Sequence, residues 1–88
     1  MLTEEKLKIY KRYHGDIDSW ARSGTKKEKS IIDDNDWYTI DGLLQDLYLI
    51  NKGVASEGFA SSLSNRLKEN CINNEVIEEI RKLGTQTK

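Results

Sequence analysis

The chain has 88 residues and a formal net charge of −1, with 36% hydrophobic and 33% charged side chains. This length makes one domain, spanning residues 1–88, and this hydrophobic content is too high for a disordered chain. The lone cysteine, Cys71, excludes an internal disulfide, and no apolar run exceeds the four residues at 47–50, so we expect a soluble cytoplasmic protein without a membrane span.

The first predicted element is an amphipathic helix over residues 4–22, with Thr3 as its N-cap and Gly24 just after its end. Gly15 lies on the polar side, where glycine costs about 1 kcal/mol relative to alanine, so the helix could kink or break there. His14 lies at the border of the apolar arc and is expected to be half-buried. The arc is formed by Leu7, Ile9, Tyr10, Tyr13, His14, Ile17, Trp20 and Ala21.

A basic connector is expected over residues 25–32, followed by a second helix over residues 34–51. Asp33 or Asp34 should begin this helix, because negative charge is favourable in a first turn. Its end is expected at Lys52 and Gly53. The apolar side chains that should face the core are Trp37, Ile40, Leu43, Leu44, Leu47 and Ile50.

Two further helices are predicted over residues 56–70 and 74–83, the first capped by Ser56 and the second ending at Gly84. Their buried sides should contain Phe59, Ala60, Leu63, Leu67, Cys71, Val76, Ile77, Ile80 and Leu83. No strand-like alternation of useful length is present. The sequence therefore predicts an all-α fold, a small four-helix bundle with short connections.

The outer side of the second helix is the most informative surface, because the position of its core arc determines which residues point away. These are Asp34, Tyr38, Asp41, Gln45 and Leu49, with Gly42 beside them and Tyr48 at the edge. Aromatic anchors surrounded by carboxylates are typical of a surface that binds a basic protein. Alternatively, Tyr48 and Leu49 pack against the N-terminal segment or the connector of residues 25–32. Tyr38 is then an ordinary half-exposed ring, and the aspartates are a solvated face.

The charges are unevenly distributed along the chain. Residues 30–62 contain six acidic side chains and one basic side chain, whereas residues 1–29 contain eight basic and five acidic ones. We expect the acidic block to steer a basic partner. The residues expected to contribute charge are Asp33, Asp34, Asp36, Asp41 and Asp46, and the expected anchors are Tyr38 and Tyr48.

No residue pattern indicates a catalytic, metal or cofactor site. His14 is the single histidine, and Cys71 is expected to be a small buried apolar residue. The acidic run at 33–36 does not fit a calcium loop, since the sixth and twelfth positions from Asp34 are Thr39 and Gln45. The glycines stand singly, which excludes a phosphate loop. We therefore predict a protein that is not an enzyme and has no metal or cofactor.

Nucleic-acid binding is a weaker interpretation. Basic side chains of residues 8–29 could contact phosphates, and residues 57–83 could be drawn as a helix-turn-helix. Its second helix would present Glu75, Glu78 and Glu79 to the groove. These carboxylates repel DNA, and the sequence pI of about 5.8 points the same way.

The segment 44–67 resembles the helical hairpin of the colicin D type immunity proteins. The similarity covers about a quarter of the chain and rests on Leu47, Lys52-Gly53, Ala55-Ser56 and Phe59. Bacterial immunity proteins of the colicin and contact-dependent inhibition types are small, acidic and helical. The resemblance implies a protein that binds a basic toxin domain, such as a nuclease, and covers its nucleic-acid site with carboxylates.

The sequence thus favours an immunity or inhibitor protein that binds a basic toxin or nuclease domain stoichiometrically. The alternative is a small regulatory or adaptor protein that uses the same face, for instance as a homodimer.

Overall fold

The computed structural model describes residues 1–86, and these residues form six α-helices. The helices are α1 (Glu4–Arg12), α2 (Ile17–Ser23), α3 (Lys26–Ile31), α4 (Asp34–Asn51), α5 (Glu57–Asn70) and α6 (Asn74–Gln86). The all-α expectation is confirmed, but these residues form six helices where a four-helix bundle was expected. Strand pairing in residues 1–86 is limited to one isolated bridge between Leu2 and Cys71. No helix among these residues is long and apolar enough to cross a membrane.

The first expected helix is divided into α1 and α2. His14 has a φ of 55° and Gly15 a φ of 73°, so two successive residues adopt the left-handed conformation. The His14 amide donates to the Lys11 carbonyl and the Gly15 amide to the Tyr10 carbonyl, which is the Schellman pattern that ends a helix. Asp16 then caps α2 through its side chain. Gly15 therefore marks a break rather than a kink.

The connector expected over residues 25–32 contains the short helix α3. Thr25 is its N-cap and accepts a hydrogen bond from the Glu28 amide, while the Glu28 carboxylate accepts one from the Thr25 amide. This reciprocal capping box satisfies two amides that the start of a helix leaves without partners. Ile32 follows α3 and is buried, and Ile31 is half-buried.

The three longer helices lie close to their predicted positions. Asp33 and Ser56 each accept a backbone amide as the N-caps of α4 and α5, as Thr3 does for the shorter α1. Gly53 ends α4 with a φ of 76°. The last helix differs, because α6 continues through Gly84 to Gln86. Gly84 is buried there, and a Cβ atom at this position would lie 3.0 Å from the Leu47 side chain. Gly84 therefore allows close packing of α6 on α4 instead of ending the helix.

The core is built around α4, which packs against α5 and α6, while α1 packs against α6 and α3. Trp37 of α4 is fully buried and lies between Tyr10 and Trp20, with ring centroids 5.0 and 5.2 Å away. Its Nε1 donates to the Gly15 carbonyl at 3.2 Å. The ring of Trp37 thus joins α4 to α1, α2 and the turn between them. The other buried apolar side chains are Leu2, Leu7, Ile9, Ile32, Ile40, Leu43, Leu47, Leu63, Leu67, Cys71, Val76 and Ile80.

The first residues of the chain are held in the core by backbone pairing. The Leu2 amide donates to the Asn70 carbonyl at 2.7 Å, and the Leu2 carbonyl accepts from the Ile72 amide at 3.0 Å. The Leu2 side chain is 1% exposed. The N-terminal segment is therefore hydrogen-bonded to the connection between α5 and α6.

Candidate functional site

The outward side of α4 is a continuous surface, here called the α4 outer face. It consists of Asp34, Tyr38, Asp41, Gly42, Gln45, Tyr48 and Leu49. Tyr38 lies one helical turn after Asp34 and is 60% exposed, and a Cβ atom added at Gly42 would meet no heavy atom within 4 Å. Asp34 and Gln45 are also exposed, whereas Asp41, Tyr48 and Leu49 are half-buried. Another protein could thus approach the backbone of α4 closely at Gly42, next to the Tyr38 ring.

Two of the aspartates expected to steer a partner have structural contacts at the start of α4. The Asp33 side chain accepts from the Asp36 amide at 2.8 Å, and the Asp36 side chain accepts from the Asp33 amide at 3.2 Å. Asp36 also forms an ion pair with Lys6 of α1, with 2.9 Å between the charged atoms. Neither residue lies on the α4 outer face. The structure assigns them to helix capping and to the contact between α1 and α4.

Asp46 and Asp41 also have partners within the protein, but of different kinds. Asp46 forms an ion pair with Arg66 of α5, so its charge is matched within the fold. Asp41 accepts a hydrogen bond from the hydroxyl of Tyr10 through its Oδ1 atom. Because a phenol is neutral, this bond leaves the charge of Asp41 uncompensated. Asp41 and Asp34 therefore remain the acidic charges of the α4 outer face.

The Tyr10 phenol is held in its neutral form. Burial, followed by the hydrogen bond to Asp41 and the negative charge of that carboxylate, raises the pKa of Tyr10 well above its ordinary value of 10. Each effect disfavours a second negative charge at this place. The proton stays on Tyr10, and the carboxylate of Asp41 acts as the acceptor.

A groove adjoins the α4 outer face where α1, α4 and α6 meet, with a volume of about 950 Å³. We call it the α1–α4–α6 groove. Its lining residues are Tyr10, Lys11, His14, Gly15, Asp41, Leu44, Gln45, Tyr48 and Leu83. The Lys52 ammonium lies 5.3 Å from the centroid of the Tyr48 ring, within the range of a cation–π contact. Asp41, Gln45 and Tyr48 belong to both the groove and the face, so the two form one surface.

A buried carboxylate outside the expected site joins α3 to the end of α1. Glu28 is 6% exposed and accepts hydrogen bonds from the Tyr13 hydroxyl at 2.6 Å and the Thr25 amide at 2.9 Å. It also forms an ion pair with Arg12. The hydrogen bond from Tyr13, with those from Thr25 and Arg12, lowers the pKa of Glu28 from 4.5 to about 2. The spacing of Thr25 and Glu28 is a sequence signal that could have indicated the capping role of Glu28.

The residues weighed for chemistry are placed apart from one another. His14 is exposed at the turn between α1 and α2, so the expectation of a half-buried ring is wrong. Cys71 is buried as expected, and burial raises the pKa of its thiol. Within residues 1–86, no three His, Cys, Asp or Glu side chains are grouped so that they could hold a metal ion.

Comparisons of the chain with protein-family models, with curated proteins and with solved structures found no match.

Proposed function

We propose that the chain is a stoichiometric inhibitor, an immunity-type protein that binds a basic domain of a toxin such as a nuclease through the α4 outer face. The observation that carries the proposal is the exposed ring of Tyr38, one helical turn from Asp34 on one side and from the open backbone at Gly42 on the other. Tyrosine is enriched among residues that contribute most to protein interfaces, because its ring gives a large contact area with one polar end.

The chemistry of the partner is inferred from the charges of the same face. Asp34 and Asp41 are about 10 Å apart along the helix axis, since each residue adds 1.5 Å. Neither has a cationic partner within residues 1–86, and the face itself contains no Lys or Arg. A basic surface would supply the missing charges and would be steered towards the face during encounter. The ion-paired Asp36 and Asp46 are not needed for this role.

The regulatory homodimer is less well supported by the same observations. A second copy of the α4 outer face would bring aspartates of two chains together, and the seven residues of that face include no Lys or Arg to oppose them. Like charges opposed across an interface weaken association. The resemblance of residues 44–67 to an immunity-protein hairpin also favours a toxin domain as the partner.

The proposal is tested by capture from a lysate of the source organism with three baits. One bait is the natural chain, the second carries Asp34→Lys and Tyr38→Ala, and the control carries Glu78→Lys and Ile72→Ala. Glu78 and Ile72 are exposed and lie outside the α4 outer face, so the control makes the same changes elsewhere.

The proposal predicts that the natural and control baits capture the same basic protein and that the α4 bait loses it. The captured protein should lose its activity when one equivalent of the chain is added. Equal capture by all three baits would show that the face is not the binding surface. A captured protein that stays active at equimolar inhibitor would contradict the inhibitor role.

A further inference from the structure

The α1–α4–α6 groove contains an open acceptor beside an aromatic ring. Asp41 uses its Oδ1 atom to accept the Tyr10 hydroxyl, and no residue within 1–86 donates to its Oδ2 atom. The carboxylate is half-buried, so a cation placed on Oδ2 would meet a lower dielectric than on the open surface. Tyr48 lies seven residues, or about two helical turns, further along α4 and lines the same groove. A carboxylate and an aromatic ring are two groups that a guanidinium binds well.

We propose that this groove receives an arginine side chain of the basic partner, with the guanidinium on Asp41 and against the Tyr48 ring, where it takes the place of the exposed Lys52 ammonium that lies 5.3 Å from the ring centroid. Arginine fits better than lysine because its planar fork donates to a carboxylate and also stacks on an aromatic ring. The apolar stem of the side chain would lie along Leu44 and Leu83, which line the groove between the polar groups.

Neither lysine near the groove pairs with Asp41. The Lys52 ammonium lies 5.3 Å from the centroid of the Tyr48 ring, at the edge of the groove. Lys11 also lines it, but its Nζ lies 3.0 Å from the Glu79 carboxylate, which matches its charge. Asp41 has only the neutral Tyr10 hydroxyl as its partner within residues 1–86. An arriving guanidinium would therefore satisfy the acceptor that the fold leaves open.

The site is prepared by the turn between α1 and α2. Gly15 has a positive φ, and a Cβ atom there would lie 2.9 Å from the Tyr10 hydroxyl oxygen. Glycine thus lets the Tyr10 ring reach Asp41 and hold its carboxylate in one orientation. A group held in place before binding loses less conformational entropy when the ligand arrives.

This inference deepens the proposed function and relies on it for the source of the arginine. Asp41 and Gln45 belong to both the groove and the α4 outer face. A partner seated on Tyr38 would therefore have the groove beside its contact surface. The inserted arginine would anchor the partner at the edge of the interface, next to the Tyr38 contact.

The groove is tested with a small probe, independently of the partner. N-acetyl-arginine amide is titrated into the ¹⁵N-labelled full chain, and amide chemical shifts are followed by NMR. The uncharged citrulline analogue and N-acetyl-lysine amide are titrated in parallel. We expect saturable shifts at Gly15, Asp41, Gln45 and Tyr48, with a Kd on the order of 1 mM for the arginine probe. Lysine should bind more weakly, and citrulline should give no saturable shift.

Two variants distinguish the contribution of the Asp41 charge to arginine binding from an effect of the substitution on folding. Asp41→Asn keeps the size of the side chain and removes its charge, and it should weaken arginine binding about tenfold. Tyr10→Phe removes the hydrogen bond to Asp41 but keeps the carboxylate charge, so it should weaken arginine binding less than Asp41→Asn does. The NMR spectrum of each variant reports whether it is folded. Tyr10→Phe shows how much arginine affinity is lost when only the hydrogen bond between Tyr10 and Asp41 is removed.

Equal shifts with citrulline and arginine, or equal arginine binding by Asp41→Asn and the natural chain, would overturn the arginine site. If a basic partner is captured but the arginine probe does not bind, the arginine site in the groove is wrong and the proposed function still stands. Arginine binding that depends on Asp41, with no basic partner captured, would support the site and count against the proposed function.

Discussion

Residues 1–32 and residues 34–86 are held together in different ways. The helices of the first region have only 9, 7 and 6 residues, whereas α4, α5 and α6 have 18, 14 and 13. Helices as short as those of the first region are not stable alone, so they depend on caps, on the Glu28 hydrogen bonds and on packing. The longer helices are stabilised by continuous apolar faces. The candidate binding surface lies on α4, and the buried apolar side chains on the opposite side of this helix hold it in place.

The largest effect should come from the residue that joins the two regions. Trp37→Ala removes a fully buried ring in contact with Tyr10 and Trp20, along with its hydrogen bond to Gly15. We expect a loss of about 3–5 kcal/mol in the free energy of unfolding, measured by urea denaturation. This is a large part of the roughly 5–15 kcal/mol typical of a domain. Trp37→Phe should lose less, and a loss below about 1 kcal/mol for Trp37→Ala would mean that the regions are joined elsewhere.

The pH dependence of the free energy of unfolding tests the polar contacts that Glu28 makes in the first region. The pKa of Glu28 is lowered in the folded protein, so the unfolded chain binds the proton more tightly. The stabilisation by Glu28 should therefore be complete above about pH 4.5 and decrease as the pH falls towards 2. Urea midpoints across this window should show a smaller pH dependence for Glu28→Gln than for the natural chain. Identical slopes would show that Glu28 does not contribute in this way.

A matched pair of glycine substitutions tests packing in the second region. Gly84→Ala places a methyl group 3.0 Å from the Leu47 side chain, and we expect a loss of about 1 kcal/mol despite the better helix propensity of alanine. Gly42→Ala meets no atom within 4 Å and should gain about 0.5–1 kcal/mol. Both are measured by urea denaturation. If both variants were more stable than the natural chain, the close contact of α6 with α4 would be wrong.

The smallest effect on stability is expected on the α4 outer face. Asp34→Asn removes one exposed charge from the first turn of α4 and should cost about 0.5 kcal/mol or less. It should nevertheless slow association with the captured basic partner at low salt, and the difference should shrink as salt screens the charge. Stopped-flow rates measured beside the exposed control Glu78→Gln test this. The same rate and the same salt dependence for both variants would rule out steering by Asp34.

The sequence predicted the second region well because its helices are long and strongly periodic. Trp37, Ile40, Leu43 and Leu47 repeat at helical spacing, and their burial follows from that pattern. The outward positions of Tyr38 and Gln45 follow from it as well. Gly84 was misread because a glycine at the end of an apolar pattern usually ends a helix, and only the tertiary contact with Leu47 shows its packing role.

The first region could not be predicted to the same extent, because it depends on turns and on contacts between distant residues. The apolar arc is continuous across Gly15, so periodicity alone cannot show that the helix ends there. The partners of Asp36, Asp41 and Asp46 come from α1 and α5 and carry no local sequence signal. The spacing of Thr25 and Glu28 could have indicated α3, but short helices are weak predictions without their neighbours.

The most direct test of the central claim compares two exposed apolar side chains in binding the captured basic partner. Tyr38 is 60% and Ile72 is 56% exposed, so Tyr38→Ala and Ile72→Ala remove similarly accessible groups from different surfaces. Dissociation constants are measured by calorimetry for both variants and the natural chain. If the α4 outer face is the binding surface, Tyr38→Ala should bind about thirtyfold more weakly or worse, and Ile72→Ala should bind like the natural chain. Equal affinities for all three proteins would contradict the claim that the protein acts through this face.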